Sequence, residues 1–445
     1  MRIAGLATFT QGGVHPPGRK EPASGLAIEP MPLVSRYLVS LVQHCGAPAA
    51  PLVKKGDAVA EGQRIGSVDK GLGAHVHSPV TGTVAGLARA LHPVLGPVPA
   101  VAIERDPEAA PKIWTPQEWE HLAPADLLAA IRESGIVGMG GAGFPTHVKL
   151  SPPPELPVDT LILNGAECES YLAADHRLML ERAPGVIQGA RVLLKILGVP
   201  RCVIGVENNK KDAVEALRQA ASDAGEGQRI SVEPLVVKYP QGSEKQLIEA
   251  LTGRRVPAGG LPAHVGCVVQ NVGTAFAAYE AAALGKPCYE RVVTVAGQGV
   301  RRPANLLCRV GVCLMDIADH LGGLNEDVAK CVLGGPMMGF AVPGLEATVA
   351  KTTSGVLFLD DWESPDTNYG PCIRCGRCLE ACPMGLSPNE MSIYAERRKY
   401  EGTQRYGLWE CFECGSCAFV CPAKRPLVQF IRASKARLKG CGCRL

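Results

Sequence analysis

Residues 372–383 read CIRCGRCLEACP and residues 411–422 read CFECGSCAFVCP. Both are CxxCxxCxxxCP: Cys372, Cys375, Cys378 and Cys382 stand before Pro383, and Cys411, Cys414, Cys417 and Cys421 before Pro422. Thiolate sulfur is the soft ligand that iron–sulfur clusters need, and this spacing is that of cubane 4Fe–4S sites. Three closely spaced sulfurs wrap one face of the cube and a distant fourth closes it. Where the motif occurs twice, the fourth cysteine serves the other cluster. That assigns Cys372, Cys375, Cys378 and Cys421 to one cluster, and Cys411, Cys414, Cys417 and Cys382 to the other. Each cluster then ties both halves of the module together and keeps the two cubes within electron-hopping range. Pro383 and Pro422 suit the turn that must follow.

Zinc also binds CxxC pairs, but a zinc site leaves the third evenly spaced cysteine, the proline and the duplication without a reason. An oxidised disulfide scaffold belongs to short secreted chains, whereas this one has 445 residues. No export signal is expected from Met1 to Thr10, which lacks a basic start and a long apolar run.

A chain of this length is too long for one core, and at roughly 100–200 residues per domain it should hold about three or four. Its apolar stretch at 266–285 is interrupted by Gln270, Asn271 and Glu280, so no membrane-spanning helix is expected. The net charge of +3 is uninformative, but its distribution is not. From Pro422 onward come Lys424, Arg425, Arg432, Lys435, Arg437, Lys439 and Arg444 without an acid. Such a run is a solvated helix face or a surface for an acidic protein partner or anionic headgroups. Nothing upstream supports nucleic-acid binding.

Residues 51–87 carry short β-branched runs broken by GD, EG and TG turns, which predicts several short strands in a small β-sandwich. After a short amphipathic helix at 127–133, residues 135–150 run GIVGMGGAGFPTHVKL. Gly138, Gly140, Gly141 and Gly143 let the backbone approach a ligand and aim N–H groups at a phosphate, with Lys149 as a cation. The loop is neither the GxGxxG that opens a βαβ unit nor a P-loop ending in GK followed by Ser or Thr. Residues 159–181 begin as a buried parallel strand, leave it at Asn164 and Gly165, and present Glu167 and Glu169 where ligands of open α/β sheets bind. A strand at 201–207, a helix at 212–224 and a strand at 232–239 continue the alternation, then a Gly turn and another helix. A doubly wound sheet is expected. A solvated loop is the other reading of the two glutamates, and a core aromatic that of Tyr239.

Residues 140–150 (GGAGFPTHVKL), 164–170 (NGAECES) and 239–248 (YPQGSEKQLI) resemble the flavin- and NADH-binding core of the complex I flavoprotein subunit. The sandwich resembles biotinyl and lipoyl carrier domains; Lys70 is nearest to their carrier lysine, but its surroundings do not match, so an unmodified domain is expected. With FTQGGVHPP at 9–17 and the doubled cysteine motif, the chain is similar over nearly its whole length to the RnfC family of the Rnf (Rsx) ion-translocating electron transport complexes. The resemblance implies a multidomain α/β architecture. It has a barrel-sandwich N-terminal domain at 1–110, a Rossmann-like FMN/NADH domain at 111–288, an SLBB-like β-grasp unit at 289–355, and a helical, ferredoxin-like two-cluster domain with a basic tail at 356–445.

It also implies FMN and two 4Fe–4S clusters, with NADH/NAD as substrate: hydride transfer between NADH and FMN, then single electrons through the clusters. Gly138, Gly140, Gly141, Gly143 and Lys149 would cradle phosphates. Asn164, Glu167 and Glu169 would stand by the flavin ring and the nicotinamide ribose, and Tyr239, Gly242, Glu244 and Asn271 would close the flavin pocket. No side chain need act as a nucleophile. Met139, Ala166 and Ser170 depart from the complex I pattern. The family places this subunit peripherally on the cytoplasmic face of the bacterial inner membrane, with an iron–sulfur subunit as electron partner and ferredoxin reached through the complex. The alternatives are a soluble NADH diaphorase subunit of a hydrogenase or quinone reductase, and a wiring subunit without flavin. Cys308, Cys313 and Cys331 lack metal spacing and read as buried thiols, while Cys441 and Cys443 have no assigned role.

Overall fold

The structure is a computed structural model describing residues 1–364 and 368–440; Cys441 and Cys443 lie outside the described residues. Its central element is a parallel sheet of β1 (Thr160–Gly165), β2 (Arg201–Glu207), β3 (Ile230–Leu235) and β4 (Cys267–Asn271), in the spatial order β3-β2-β1-β4. The helices are α1 (Pro124–Glu133), α2 (Ala174–Glu181), α3 (Ala183–Leu197), α4 (Lys211–Asp223), α5 (Glu244–Thr252) and α6 (Val272–Leu284).

The side-chain period of two splits β1 between two cores. Leu161 and Leu163 join the helices α3, α4 and α6 on one face, while Ile162 meets Leu247 and Ile248 of α5 on the other. Helix α4 shows why such segments fold as they do: Ala213, Val214, Leu217, Ala220 and Ala221 make one buried stripe. Between α3 and α6 the backbones nearly touch. A Cβ on Gly189 would stand 1.9 Å from the carbonyl oxygen of Ala275, so only glycine permits this approach.

The expected third strand ends at Leu235. Tyr239 has left the sheet and pairs with Val14 instead, the amide of each donating to the carbonyl of the other at 2.8 Å. The first thirty residues serve two other units. Arg2–Ile3 and Leu6–Ala7 extend the parallel sheet beyond β3, and Ile28–Pro30 pairs with Ala304–Arg309.

The small sandwich comprises a sheet of Arg36–Ser40, Gly96–Arg105, Gly82–His92 and Ala58–Val59, and a second of Ala50–Pro51, Arg64–Ser67 and Val76–His77. Its core is continuous with that of the β-grasp unit: Tyr37, Val39, Ile65 and Val101 pack in one apolar cluster with Val293, Leu306 and Phe358. The β-grasp sheet runs from Phe340–Val342 through Val328–Leu333, Gly355–Asp360, Glu290–Ala296 and Ala304–Arg309 to Ile28–Pro30, backed by the helix Leu314–His320.

The cysteine-rich module carries the helices Pro388–Glu396 and Leu427–Gly440 and two one-turn helices, Arg377–Glu380 and Ser416–Phe419. Part of the basic run is used internally. Arg425 is buried and paired with Glu396 at 2.8 Å, and Arg432 and Lys435 both hold Glu413, at 2.9 and 2.8 Å. Of the rest of the run, Lys424, Arg437 and Lys439 are exposed, and Arg444 lies outside the described residues.

Candidate functional site

Strands β1 and β4 lie side by side although two strands separate them in sequence, which makes the crevice beyond their carboxyl ends a topological switch point. Asn164 and Asn271 face each other there, paired in register. Asn164 Nδ2 donates to the carbonyl of Gly242 at 2.8 Å, and its Oδ1 accepts from Ala166 N–H at 3.1 Å. Asn271 caps α6 through Oδ1 to Gly273 N–H at 2.7 Å, and its Nδ2 donates to Asp175 Oδ2 at 2.7 Å. Burial, and then the neighbouring Glu167, push the Asp175 carboxyl up to about 6.

The glycine-rich loop arches over this pair. Gly138 N–H closes the loop on the carbonyl of Phe144 at 2.9 Å, and Met139 is buried with its N–H on Thr274 Oγ1 at 3.0 Å. A Cβ on Gly140 would come within 3.0 Å of Asn271 Nδ2, while one on Gly141 would meet open space. The exposed backbone of Gly140 and Gly141 is a cradle that a ligand can approach closely, and that fits a phosphorylated flavin. Gly143 does something else. Its φ is +68°, and a Cβ would stand 2.9 Å from Thr352, so it packs the loop on the β-grasp unit. Lys149 is ion-paired with Glu244, the first residue of α5.

The two glutamates of the following loop accept hydrogen bonds from backbone amides. Glu167, at φ +45°, caps α2 by accepting from Asp175 N–H at 2.7 Å and His176 N–H at 3.2 Å. Glu169 accepts from Met337 and Met338 N–H at 3.0 and 2.8 Å; burial lifts its carboxyl to about 7 against the pull of those amides. Two lysines missed in the sequence hold this loop. Lys20 Nζ donates to the carbonyls of Glu167, Glu169 and Leu172, and buried Lys210 Nζ donates to that of Ala166 and is ion-paired with Glu207. Among the departures from the complex I pattern, Ala166 is packed in the core and Ser170 Oγ donates to Pro17 O at 2.7 Å.

Tyr239 reaches the cysteine module. Its buried ring packs beside Cys414, and its hydroxyl donates to the Cys414 carbonyl at 2.6 Å. Gly242 N–H donates to Cys168 Sγ at 3.4 Å in the same wall.

The cysteines form two sets. Cys372, Cys375, Cys378 and Cys421 line one cavity together with Ile373, Arg374, Arg377 and Arg425. In the second set burial raises the thiols of Cys411, to about 11, and of Cys414 and Cys417, and the nearby Cys382 raises all three further. The fourth cysteine of each motif thus stands with the other motif's three. Thiols held up in this way ionise when a cationic centre sits among them, which fits an iron cluster. Among the described residues no three Cys, His, Asp or Glu side chains are placed to hold a single ion. Two sets of four cysteines match the ligand number of two cubane clusters.

Four family models match in chain order: the RnfC barrel sandwich hybrid domain at 8–108, the Nuo51 FMN-binding domain at 131–280, the SLBB domain at 292–341 and the 4Fe-4S dicluster domain at 365–422. Over 435 residues the chain is 45% identical to the C subunit of the proton-translocating ferredoxin:NAD(+) oxidoreductase complex of Clostridium ljungdahlii, covering 97% of this chain and 94% of that protein. The chain belongs to this RnfC family. Two other RnfC relatives are the corresponding subunits of the ion-translocating oxidoreductase complex of Rhodobacter capsulatus and of the Na(+)-translocating ferredoxin:NAD(+) oxidoreductase complex of Acetobacterium woodii. The first is 39% identical over 98% of this chain and 86% of the relative, the second 40% identical over 96% of each. Among solved structures, an NAD+-reducing [NiFe]-hydrogenase aligns over 73% of the chain and 62% of its own at 18% identity, with a TM-score of 0.49, a likeness on which nothing further rests.

Proposed function

We propose that this RnfC-family chain is the NAD(H)-side electron-transfer subunit of a membrane-bound, ion-translocating ferredoxin:NAD oxidoreductase. FMN, when bound, supplies the exchange between hydride pairs and the single electrons that 4Fe–4S clusters carry. The backbone of Gly138, Gly140 and Gly141 would receive the flavin phosphate, and Lys149 would exchange its partner Glu244 for an anionic oxygen. Asn164, Asn271 and Gly242 set the floor of the crevice. Glu167 and Glu169 hold the surrounding loops in place, and Tyr239 joins the flavin wall to the second cluster site. The observation that carries the reading is the hydrogen bond from Tyr239 to Cys414, which joins the flavin domain to the cysteine set that would hold a one-electron centre.

The four units would divide the chain near residues 110, 288 and 355, with residues 1–30 bridging two of them. Attachment to the membrane would be peripheral, on the cytoplasmic face and through partner subunits; no helix among the described residues is long and apolar enough to cross it. Anaerobic rapid mixing with NADH tests the relay. Bleaching of the flavin band followed by the cluster band is expected; flavin bleaching with unchanged clusters on the catalytic timescale would refute it.

A further inference from the structure

The two halves of the cysteine module repeat backbone as well as sequence. Arg374 and Glu413 both take a positive φ, 55° and 64°, and so do Gly376 and Gly415, 80° and 84°. Equivalent positions can therefore be compared, and their surroundings differ. In the second half Phe412 packs against Val14 and Tyr239, Glu413 is held by Arg432 and Lys435, and Cys414 is buried. In the first half Ile373 is 65% exposed, and Arg374 and Cys375 are exposed beside it. The flavin domain covers one face of the module, and among the described residues the pseudo-symmetric face is exposed at Ile373, Arg374 and Cys375.

That open face has the composition of a docking site. Ile373 is an exposed apolar side chain on the cavity lined by Cys372, Cys375, Cys378 and Cys421. Arg374 and Arg377 are exposed and line the same cavity, with Glu380 as the exposed acid of the same segment. An apolar centre that expels water, inside a basic rim, suits a partner whose own surface is acidic. A lipid surface has no use for an exposed cluster ligand, Cys375, on the same cavity.

We infer that this face docks an acidic protein carrying its own one-electron centre, and that the site of Cys372, Cys375, Cys378 and Cys421 is the terminal where electrons leave or enter the chain. The inference rests on the relay reading for what happens at the other end. In the step itself one electron passes between the carrier's centre and the chain's cluster, and no bond or proton changes hands.

The test uses the full chain loaded with FMN and clusters, mixed anaerobically with a reduced acidic two-cluster ferredoxin as the probe. The second-order constant for its oxidation is expected to fall at least about tenfold in Arg374→Glu/Arg377→Glu at low ionic strength, and to lose its decline with added salt. Glutamate already occupies the equivalent position 413 at a similar backbone angle, and iron content equal to wild type establishes that the variant is folded. Lys54→Glu/Lys55→Glu, which makes the same charge change on the sandwich domain, should stay close to wild type. Ile373→Ala should lose rate with its salt dependence kept. Because electrons enter from the probe, a failure of NADH to reduce the clusters would strike the relay reading and leave this result standing. Equal losses in both charge-reversal variants would overturn the inference, as would an unchanged constant in Arg374→Glu/Arg377→Glu. So would binding to phosphatidylglycerol vesicles that is lost in that variant while the ferredoxin constant holds.

Discussion

The hydroxyl of Tyr239 donates a 2.6 Å hydrogen bond to the carbonyl oxygen of Cys414. Tyr239 stands where the chain has just left the flavin-domain sheet, and Cys414 belongs to the more buried of the two cysteine sets. Burial and the nearby Glu169 push the phenol far above the ordinary tyrosine range, so it stays a donor at any working pH. Two units that fold around separate cores are thereby joined by a hydrogen bond beside the apolar side chains of Val14, Ala381, Met337 and Phe412.

Tyr239→Phe keeps the ring and removes the donor. The Cys414 carbonyl then loses its partner in a buried wall, at a cost of about 1–3 kcal/mol. NADH should still bleach the flavin at the wild-type rate, while cluster reduction slows. Stopped-flow traces at the flavin and cluster wavelengths, with iron content as the control for folding, check this.

Glu169 should make stability depend on pH. Its carboxyl rises from 4.5 to about 7 in the folded chain, so the folded state holds the proton more tightly than the unfolded one. The contribution is full below the unfolded value and is lost as pH climbs from about 4.5 through about 7, by roughly 3 kcal/mol or less. Glu169→Gln cannot titrate. The stability of wild type relative to this variant should fall across that window, and urea midpoints at a series of pH values measure it.

Lys149 and Glu244 should act in opposite directions on anion binding. Lys149→Met removes the cation and should weaken FMN binding by about tenfold, the worth of one charge-assisted contact. Glu244→Gln frees the ammonium from its internal partner and should tighten binding. Flavin fluorescence titrations of the apoprotein give both constants.

Gly189→Ala sets two effects against each other. Alanine in a helix interior gains about 1 kcal/mol over glycine. The added carbon would lie 1.9 Å from the Ala275 carbonyl oxygen, so α3 and α6 must move apart, and overpacking of this kind costs about 1–3 kcal/mol or more. The overlap wins, and the urea midpoint should drop.

The cysteine sets and the sheet were legible because their signals are local: a fixed spacing, and hydrophobic runs that alternate with helix periods. Strands of two or three residues such as Leu6–Ala7 and Ile28–Pro30 have no period to detect, so their membership in distant sheets could not be read. Glu167 and Glu169 have the composition of ligand residues in a glycine-adjacent loop. Their engagement with helix and loop amides depends on contacts up to 169 residues away. Lys20 lies 152 residues from a carbonyl it satisfies, in a Gly- and Pro-rich stretch without regular pattern. The basic tail looked unpaired because its partner Glu413 sits inside the second cysteine motif.

The most direct measurement is acid extraction of flavin and iron from the anaerobically reconstituted chain, with a spectrum recorded before and after NADH. The account predicts about one FMN and about eight irons per chain, since each cubane holds four, with NADH bleaching both chromophores. Eight irons without flavin, or bound flavin that NADH leaves oxidised, would contradict it.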